Sequence, residues 1–144
     1  MIVNDRPDVA AVSGAAGVHV GQQDLRPEEA RKNVGVAALI GLSTHTLDQV
    51  READAGPADY IAIGPIFPTQ TKQIPDPAVG VEFVRRARAL TSKPLVAIGG
   101  ITLARAGKVW AAGADAVAVA GDILGAEEPR EQARRYLELA ERRN

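Results

Sequence analysis

The 144-residue sequence contains no cysteine and few aromatic residues. The lack of cysteine excludes disulfide bonds and thiolate catalysis, and it fits a reducing compartment, so we expect a cytoplasmic protein. Aromatic residues make up 3% of the chain, which is too few for a surface that stacks the bases of a single-stranded nucleic acid. Because the net charge is only −1, neither nucleic acid nor an anionic membrane is an expected partner.

The sequence also lacks long apolar stretches. No run approaches the ~20 apolar residues that span a bilayer, so we expect no membrane span. We also expect no signal peptide, because no basic region followed by a long apolar run stands at the N-terminus. With 46% hydrophobic and 24% charged residues, the composition is that of an ordinary globular domain, and the length indicates a single domain over residues 1–144.

What the sequence does have is a series of short apolar runs, each followed by a helical pattern. The runs are near-continuous rather than alternating, which is typical of strands buried on both faces of a parallel sheet. The six predicted strands are 2–3, 17–21, 38–43, 60–66, 94–100 and 115–121. Glycine closes most of them, and we interpret it as letting the backbone approach a ligand. These glycines are Gly21, Gly41, Gly64, Gly99 and Gly121.

Helix signals fill the intervals between these strands. Pro27, followed by Glu28 and Glu29, suits the first turn of a helix, and Thr46 suits an N-cap. Strands that alternate with helices predict an α/β fold with a parallel sheet. On the last helix we predict one buried stripe, formed by Ala133, Tyr136, Leu137 and Ala140.

One connection, between the fourth predicted strand and its helix, is much longer than the others. It contains the stretch GPIFPTQTK and four prolines. Loops of this length are uncommon and often functional, and in β/α barrels the chemistry lies on the loops that follow the strands. Thr69, Thr71 and Lys72 combine two hydroxyls with an ammonium, which suits a cluster of anionic oxygens such as pyrophosphate. The alternative is an ordinary solvated loop.

Two carboxylates follow the first two predicted strands. Asp5 comes after Asn4 in the stretch IVND, and Asp24 lies in GVHVGQQDL. Carboxylate oxygens are ligands that Mg²⁺ prefers, so the two strand ends are a candidate metal site. Each aspartate has an alternative as the N-cap of the next helix, which would begin near Pro7 after Asp5 and near Pro27 after Asp24.

The stretch GLSTHT places polar side chains at the end of the third predicted strand. Ser43 and Thr44 offer hydroxyls to phosphate oxygens, and His45 has a side chain that can carry a proton near neutral pH. Capping of the next helix from Thr46 is the alternative, and it explains one of these residues without function. We interpret His19, inside the second predicted strand, as a hydrogen-bonded core histidine.

Glycine turns close the last two predicted strands, in AIGGIT and VAVAGDI. The loops after the last two strands of β/α barrels often bind phosphate through backbone N–H groups and a helix N-terminus. Gly99, Gly100 and Gly121 fit this use, because glycine allows the backbone to come close to an anion.

Together these stretches resemble the thiamine-phosphate synthase family. IVND, GVHVGQQDL, GLSTHT, YIAIGPIFPTQTK, VAIGGIT and GADAVAVAGDI occur in the family's order and at similar spacing, over essentially the whole chain. The resemblance implies a (β/α)8 TIM barrel, an α/β fold of which residues 1–144 would form the C-terminal three quarters, about six of the eight units. It also implies an enzyme that joins 4-amino-2-methyl-5-hydroxymethylpyrimidine pyrophosphate to thiazole phosphate, giving thiamine phosphate and pyrophosphate.

The resemblance further implies roles for individual residues. Asp5 and Asp24 would hold Mg²⁺, with Asn4 beside them against the substrate. Ser43 and Lys72 would be the catalytic residues that contact the leaving pyrophosphate. The thiazole phosphate side would be formed by Thr69, Thr71, Gly100, Ala120 and Gly121. Family members can carry serine at the last of these positions, so the glycine here keeps a backbone donor and lacks a hydroxyl.

The related thiazole tautomerases share the fold and a histidine near the position of His45. They tend to lack the metal-binding carboxylates and the Thr-x-Thr-Lys loop, so the synthase interpretation is favoured. The remaining alternatives are an inactive or merely phosphate-binding barrel fragment, and another phosphate-handling barrel enzyme such as an isomerase.

The family barrel has two further strands, which would lie before Met1 and would include a Gln-x-Arg-x-Lys segment that grips the pyrophosphate. We therefore expect residues 1–144 alone to have little synthase activity. Sheet edges without a neighbouring strand invite pairing with another chain, so we also expect self-association as a homo-oligomer.

Overall fold

The computed structural model describes residues 1–69 and 77–142. Strands β1 to β6 span Ile2–Asn4, Gly17–Val20, Leu39–Thr44, Tyr60–Ile63, Leu95–Ile98 and Ala116–Ala118. Helices α1 to α7 span Pro7–Ser13, Pro27–Val34, Leu47–Ala55, Val81–Arg88, Leu103–Ala111, Gly121–Leu124 and Pro129–Glu141. All six predicted strands are present.

The strands form one parallel sheet in chain order, from β1 to β6. Within the described ranges, β1 and β6 are the two edges of this sheet, so the strands form a half-barrel. The predicted α/β class with a parallel sheet is confirmed. In the part of the chain that the structure describes, no helix is both long enough and apolar enough to cross a bilayer.

The two faces of the sheet differ in burial. Alternate strand residues point to opposite faces, and one set packs under the helices. This buried set includes Val18, Val20, Ile40, Ile61, Ile63, Leu95 and Ala97. On the other face, Ile2, Leu39 and Ile98 are 39%, 47% and 45% exposed. The prediction of strands buried on both faces is therefore wrong at Ile2, Leu39 and Ile98, because helices cover only one face, although Ala62 of β4 is buried on the other.

The core consists of two clusters on the helix side of the sheet. In the larger cluster, Ile61, Ile63 and Leu95 pack against α3, α4 and α5. In the smaller cluster, Val18, Val20 and Ile40 pack against Ala10 of α1 and Ala30 of α2. The helices thus cover one face of the sheet, and the opposite face is left for the polar side chains described below.

The predicted helix starts at Pro27 and Thr46 are confirmed. Pro27 is the first residue of α2. The Thr46 hydroxyl accepts a hydrogen bond from the Gln49 backbone N–H, and the Gln49 side chain accepts one from the Thr46 N–H, both at 3.2 Å. This reciprocal pair is a capping box, which satisfies two backbone donors that the helix itself cannot bond.

The predicted stripe on α7 is wrong at one position. Leu137 is 66% exposed, whereas Tyr136 is buried and Leu139 packs against the core. The orientation follows from Tyr136, whose hydroxyl donates to the Asp122 carboxylate at 2.7 Å. With Tyr136 facing Asp122, Leu139, three residues on, lies on the inward side of α7 and Leu137 faces solvent.

The sixth predicted strand extends too far. It ends at Ala118, and the predicted terminal residue Gly121 instead begins α6, a helix of four residues. The strand interpretation failed because one turn of helix is too short to show helical periodicity in the sequence.

Candidate active site

The predicted site residues lie at one end of the sheet, where the carboxyl ends of all the parallel strands meet. Asn4 is the last residue of β1, with Asp5 directly after it, and Ser43 is the penultimate residue of β3. Asp24 lies in the connection after β2, Gly100 follows β5, and Ala120 and Gly121 follow β6. Thr71 and Lys72 lie outside the described residues, so their roles stay predictions.

Asp5 has an unusual backbone conformation. Its φ angle is 62°, and it is the one non-glycine residue with a positive φ within residues 1–69 and 77–142. Its backbone N–H donates to the His19 carbonyl at 2.8 Å, which ties the end of β1 to β2. The N-cap of α1 is Arg6, so the alternative role of Asp5 as a helix cap is wrong. Strained backbone of this kind is found preferentially at functional sites.

Asp24 closes a tight turn after β2. Its Oδ2 accepts a hydrogen bond from the Gly21 N–H at 2.7 Å. A Cβ on Gly21 would lie 3.1 Å from that oxygen, so glycine gives the carboxylate room to fold back. The N-cap of α2 is Arg26, which means that the cap alternative for Asp24 is also wrong.

His19 lies at the centre of the polar face of the sheet. Its Nδ1 is 2.9 Å from the Tyr60 hydroxyl, and its Nε2 is 2.8 Å from the Ser43 hydroxyl. Burial lowers the pKa of His19, and the charge of Asp24 acts in the opposite direction. Burial also raises the pKa of Tyr60, so the ring and the phenol both favour their neutral forms near pH 7. The predicted hydrogen bonding of His19 is confirmed, but the ring is half-buried on the face without helices.

Gly41 makes room for this pair of rings. It pairs with His19 on one side and with Tyr60 on the other, inside β3. A Cβ on Gly41 would lie 2.0 Å from Tyr60 Cζ and 2.4 Å from His19 Nδ1. The interpretation of Gly41 as a strand-closing residue that faces a ligand is therefore wrong, since its place is filled by the His19 and Tyr60 side chains.

Ser43 and Thr44 point to opposite faces. Ser43 is held at two atoms, its hydroxyl by His19 and its carbonyl by the Gln22 side-chain amide at 2.6 Å. Thr44 is fully buried, and its hydroxyl donates to the Ala62 carbonyl at 3.0 Å. The suggestion that Thr44 binds phosphate is therefore wrong, because its hydroxyl is used within the sheet.

His45 joins the end of β3 to the end of β4. Its Nδ1 lies 2.6 Å from the Gly64 carbonyl oxygen, and its backbone N–H donates to the Gln49 side chain at 2.7 Å. Because a carbonyl only accepts, Nδ1 carries the proton in this contact. A further role of His45 in proton transfer stays a prediction.

The first part of the long connection after β4 packs on the glycine turn after β5. The backbone N–H groups of Ile66 and Phe67 donate to the carbonyls of Ile98 and Gly99 at 2.9 and 3.0 Å. Gly100 has a φ of 59°, and a Cβ there would lie 2.4 Å from the Pro68 carbonyl. Thr69 directly follows Pro68, so it lies beside the Gly100 turn.

Glycines at these strand ends therefore have a packing role. A Cβ on Gly64 would lie 2.3 Å from the Ile98 carbonyl, and one on Gly99 would lie 2.4 Å from Pro65 Cβ. At Gly64 and Gly99 a side chain would collide with these backbone and proline atoms, and an approach of their backbone to a ligand stays a prediction.

The turn after β6 is fixed by an acidic residue that the sequence reasoning overlooked. Asp122 Oδ2 accepts hydrogen bonds from Tyr136 Oη, Gln132 Nε2 and Leu103 N at 2.7, 2.8 and 3.2 Å. Burial acts to raise the pKa of Asp122, but these hydrogen bonds outweigh it and the pKa is lowered. The pKa of Tyr136 is raised, first by burial and then by its bond to Asp122. The network joins α6 and α7 to the start of α5.

With this geometry in view, comparison with known proteins decides the family. The model of the thiamine monophosphate synthase family matches residues 1–123. This chain belongs to the thiamine monophosphate synthase family.

Two relatives of similar sequence are both named thiamine-phosphate synthase. The thiamine-phosphate synthase of Koribacter versatilis is 51% identical over 139 residues, which are 96% of this chain and 65% of that protein. The thiamine-phosphate synthase of Methanospirillum hungatei is 41% identical over 138 residues, 96% of this chain and 67% of that protein. The chain thus spans about two thirds of the length of these curated relatives. The resemblance inferred from the sequence motifs is confirmed.

Solved structures agree with this family membership. The thiamine phosphate pyrophosphorylase of Pyrococcus furiosus superposes with a TM-score of 0.88 at 33% identity, covering 98% of this chain and 67% of that chain. The half-barrel described above is therefore similar to about two thirds of that thiamine phosphate pyrophosphorylase.

Several side chains at this site were missed by the sequence reasoning. Tyr60 and Gln22 both contact Ser43 or its histidine, and Arg105 donates to the Gly100 carbonyl at 3.0 Å. The Arg105 guanidinium also lies 4.8 Å from the centre of the Phe67 ring. Gln22 stands inside the GQQDL motif, so its position was a usable signal. Tyr60 could only have been found by knowing which strand residues lie opposite one another.

The oxygen ligands at the carboxyl ends of the strands fit one kind of Mg²⁺ site. Across residues 1–69 and 77–142, no group of three or more His, Cys, Asp or Glu side chains is arranged to hold a metal ion. Asp5 and Asp24 offer two carboxylates at neighbouring strand ends. Mg²⁺ is usually bound by one or two carboxylates together with water and substrate phosphate oxygens. The pair therefore fits an ion that is shared with a phosphate-bearing substrate, rather than one held in a closed protein cage.

A groove of about 450 Å³ lies between the start of α2 and α3, and it is lined in part by Gln22 and Asp24 of the connection after β2. Leu42, Gln49 and Glu52 also line it. Leu42 alternates with Ser43 along β3, so the groove lies on the helix side of the sheet, away from the Ser43 hydroxyl.

Proposed function

We propose that this chain acts as a thiamine-phosphate synthase, in which 4-amino-2-methyl-5-hydroxymethylpyrimidine pyrophosphate reacts with thiazole phosphate to give thiamine phosphate and pyrophosphate. The observation that carries the proposal is the presence of Asp5, Asp24 and Ser43 at the ends of three adjoining parallel strands in a member of this family. Three oxygen-bearing side chains that follow neighbouring strands suit a site for a metal-bound pyrophosphate.

In this reaction the bond between the pyrimidine methylene carbon and the pyrophosphate oxygen breaks, and the oxygen keeps the electron pair. The methylene carbon then bonds to the thiazole nitrogen. No nucleophilic side chain is required. The protein must bind and align the two substrates and neutralise the charge of the leaving pyrophosphate. Mg²⁺ held by Asp5 and Asp24 would supply the positive charge that stabilises the leaving pyrophosphate.

The remaining residues of the proposed site divide between the two substrates. Ser43 donates a hydrogen bond to a pyrophosphate oxygen, and Asn4 contacts the pyrimidine substrate from the end of β1. Lys72 adds positive charge beside the pyrophosphate. This assignment rests on the family motif alone. The thiazole phosphate is bound on the other side, by Thr69, Thr71, Gly100, Ala120 and Gly121. What supports this division is that Thr69 adjoins the Gly100 turn, which neighbours the strand leading to Gly121.

The proposal includes a wider setting for the half-barrel. The described strands are six units of an eight-unit TIM barrel, and the protein works in the cytoplasm on small molecules. The two sheet edges at β1 and β6 also make homo-oligomers an expected state of the isolated chain, because each edge strand has a row of backbone groups without a neighbouring strand. Size-exclusion chromatography with light scattering tests this last expectation, and a monomer at all concentrations would contradict it.

Pyrophosphate binding provides the most direct test. We expect calorimetry to detect binding of inorganic pyrophosphate in the presence of Mg²⁺ and none after chelation. Asp24→Asn keeps an oxygen that can accept from Gly21, but it removes the charge and should weaken binding about tenfold or more. Asp48→Asn is the matched control, because Asp48 is exposed on α3 and its carboxylate accepts a hydrogen bond from Arg51 of the same helix. Binding that is insensitive to chelation and to Asp24→Asn would refute the proposed metal site.

Turnover tests the whole reaction. Both substrates, Mg²⁺ and the chain should yield thiamine phosphate, with the Koribacter versatilis enzyme as positive control. We expect the rate of the isolated chain to be well below that of the control, since the chain spans 65% of the length of that protein. A rate equal to the control would overturn that expectation and leave the proposed reaction standing. Product without Mg²⁺ would overturn the proposed mechanism.

A further inference from the structure

We propose that Tyr60 and His19 are positioning residues that fix the Ser43 hydroxyl as a hydrogen-bond donor toward an anionic ligand. The inference deepens the proposed function and rests on it, since the anion is the pyrophosphate assigned to Ser43 above. It adds two residues to the site, and neither of them touches the substrate in this scheme.

The three side chains form a continuous chain across three strands. Tyr60 Oη is 2.9 Å from His19 Nδ1, and His19 Nε2 is 2.8 Å from Ser43 Oγ. The His19 and Tyr60 rings lie with their centroids 5.5 Å apart at an angle of 28°. All three residues lie on the face of the sheet that the helices do not cover.

The sheet is built to allow this contact. His19 on β2 and Tyr60 on β4 both lie beside Gly41 of the strand between them. Because Gly41 has no side chain, the two rings meet above its Cα, where a Cβ would come within 2.0 Å of Tyr60 Cζ. A hydrogen bond between side chains two strands apart therefore depends on glycine at this position.

The direction of the hydrogen bonds follows from the chemistry of a neutral imidazole, in which one nitrogen donates and the other accepts. If Nδ1 carried the proton, Nε2 would accept from Ser43, and the serine would present only lone pairs to a ligand. If Nε2 carries the proton, it donates to Ser43 Oγ, and the serine proton is directed outward. Only the second arrangement lets Ser43 donate to a negatively charged oxygen.

Tyr60 favours that second arrangement, because a phenol hydroxyl can donate or accept but is a stronger hydrogen-bond donor than acceptor. A phenol that donates to Nδ1 requires this nitrogen to be the acceptor, which leaves the proton on Nε2. The order of donors is then Tyr60 Oη–H to His19 Nδ1, His19 Nε2–H to Ser43 Oγ, and Ser43 Oγ–H to the anion. The Gln22 amide, bonded to the Ser43 carbonyl at 2.6 Å, holds the serine backbone while its hydroxyl is aimed.

The tautomer can be measured without any ligand. The chain contains only two histidines, so ¹⁵N NMR of histidine-labelled protein at about pH 8, above the ordinary histidine pKa, resolves both rings. The variant His45→Gln identifies the His19 signals. We expect His19 with its proton on Nε2, and in Tyr60→Phe a measurable population with the proton on Nδ1. A native ring protonated on Nδ1 would overturn the proposal.

Binding then tests whether the two residues act through Ser43. We expect Ser43→Ala to weaken the affinity for Mg²⁺ and inorganic pyrophosphate about tenfold, and Tyr60→Phe to weaken it severalfold. In a Ser43→Ala background, Tyr60→Phe should have no further effect, because there is no hydroxyl left to aim. Tyr136→Phe, which removes the other tyrosine hydroxyl of the chain, should leave pyrophosphate affinity unchanged.

The outcomes separate this inference from the proposed function. Additive losses in the double variant, with pyrophosphate bound by the native chain, would overturn the positioning role and leave the proposed function intact. A native chain that binds no pyrophosphate with Mg²⁺ would overturn the proposed function, and with it the anionic ligand assigned to Ser43. Neither result depends on turnover, and the NMR measurement on the native chain decides the bond direction even if Tyr60→Phe fails to fold.

Discussion

The backbone N–H of Asp5 donates to the carbonyl of His19 at 2.8 Å, and this bond accompanies a left-handed backbone at Asp5. One residue of the proposed metal pair is thereby tied to the histidine that contacts Ser43. The backbone of Asp5 after β1 and the Ser43 hydroxyl at the end of β3 both bond to one residue of β2, His19. The left-handed backbone is tolerated at Asp5 because aspartate is among the few non-glycine residues that adopt a positive φ.

The backbone of Asp5 leads to the first prediction. Asp5→Gly and Asp5→Ala both remove the carboxylate, so both should abolish Mg²⁺-dependent pyrophosphate binding. They should differ in stability, because alanine at φ 62° is strained and glycine is not. We expect Asp5→Gly to be more stable than Asp5→Ala by about 1 kcal/mol in urea unfolding.

Glu52 provides the matched control for that comparison, because it is exposed inside α3. There the order should reverse, with Glu52→Ala more stable than Glu52→Gly by about 1 kcal/mol, since glycine is a poor helix former. The same order at both positions would contradict a special backbone at Asp5.

Gly41 leads to the second prediction. Gly41→Ala should destabilise the fold by about 1–3 kcal/mol, because its Cβ overlaps Tyr60 and His19. It should also separate these two rings, which would appear as a change in the His19 NMR signals. Gly107→Ala in α5 is the control, with no atom within 4 Å of the added Cβ, and should stabilise the chain by about 0.5–1 kcal/mol. Equal effects at the two positions would contradict the packing described for Gly41.

These cases show which parts of the structure the sequence could predict. The six strands and the α/β class were predictable because a short apolar run and its following helix are local signals. The positions of Asp5 and Asp24 after their strands were predictable for the same reason. The role of Gly41 was not, because it depends on which residues of β2 and β4 lie beside it, and that register is set by pairing between distant parts of the chain.

The face of the sheet on which each residue lies could not be predicted from the sequence either. In a near-continuous apolar run, neither parity is marked as the buried one, so Ser43 and the buried Thr44 looked alike. In α7, apolar residues at both Tyr136 and Leu137 permit two neighbouring stripes, and the observed one has Tyr136 bonded to Asp122 and Leu139 packed against the core. Such choices are settled by tertiary contacts, which local periodicity does not contain.

The Asp122 network leads to a prediction on pH. The folded pKa of Asp122 is lowered from 3.8, so its contribution to stability is complete above that value and is lost as the pH falls through the lower folded pKa. Tyr136→Phe removes one of the bonds that lower this pKa. We expect the variant to be less stable near neutral pH and to lose less additional stability between pH 4 and about pH 2 than the native chain, as measured by urea unfolding across that range.

Asp8 is a useful comparison for the acid range, because its pKa is lowered to about 2 and the first cause is its hydrogen bond to the exposed Arg6 side chain. Both groups are in contact with solvent, so salt should raise the Asp8 pKa toward its ordinary value. The Asp122 carboxylate, which is bonded to neutral donors, should respond much less to salt. A native pH profile identical to that of Tyr136→Phe would contradict the proposed linkage.

The orientation of α7 gives the last prediction. Leu139 packs against the core and Leu137 is 66% exposed, although the two lie only two residues apart. Leu139→Ala should therefore destabilise the chain by about 1–2 kcal/mol, less than a fully buried leucine because Leu139 is only partly buried. Leu137→Ala should change stability by less than about 0.5 kcal/mol, as expected for a surface position. Urea unfolding of the two variants compares equal chemical changes on one helix, and a larger loss at Leu137 would restore the stripe predicted from the sequence and contradict the orientation described for α7.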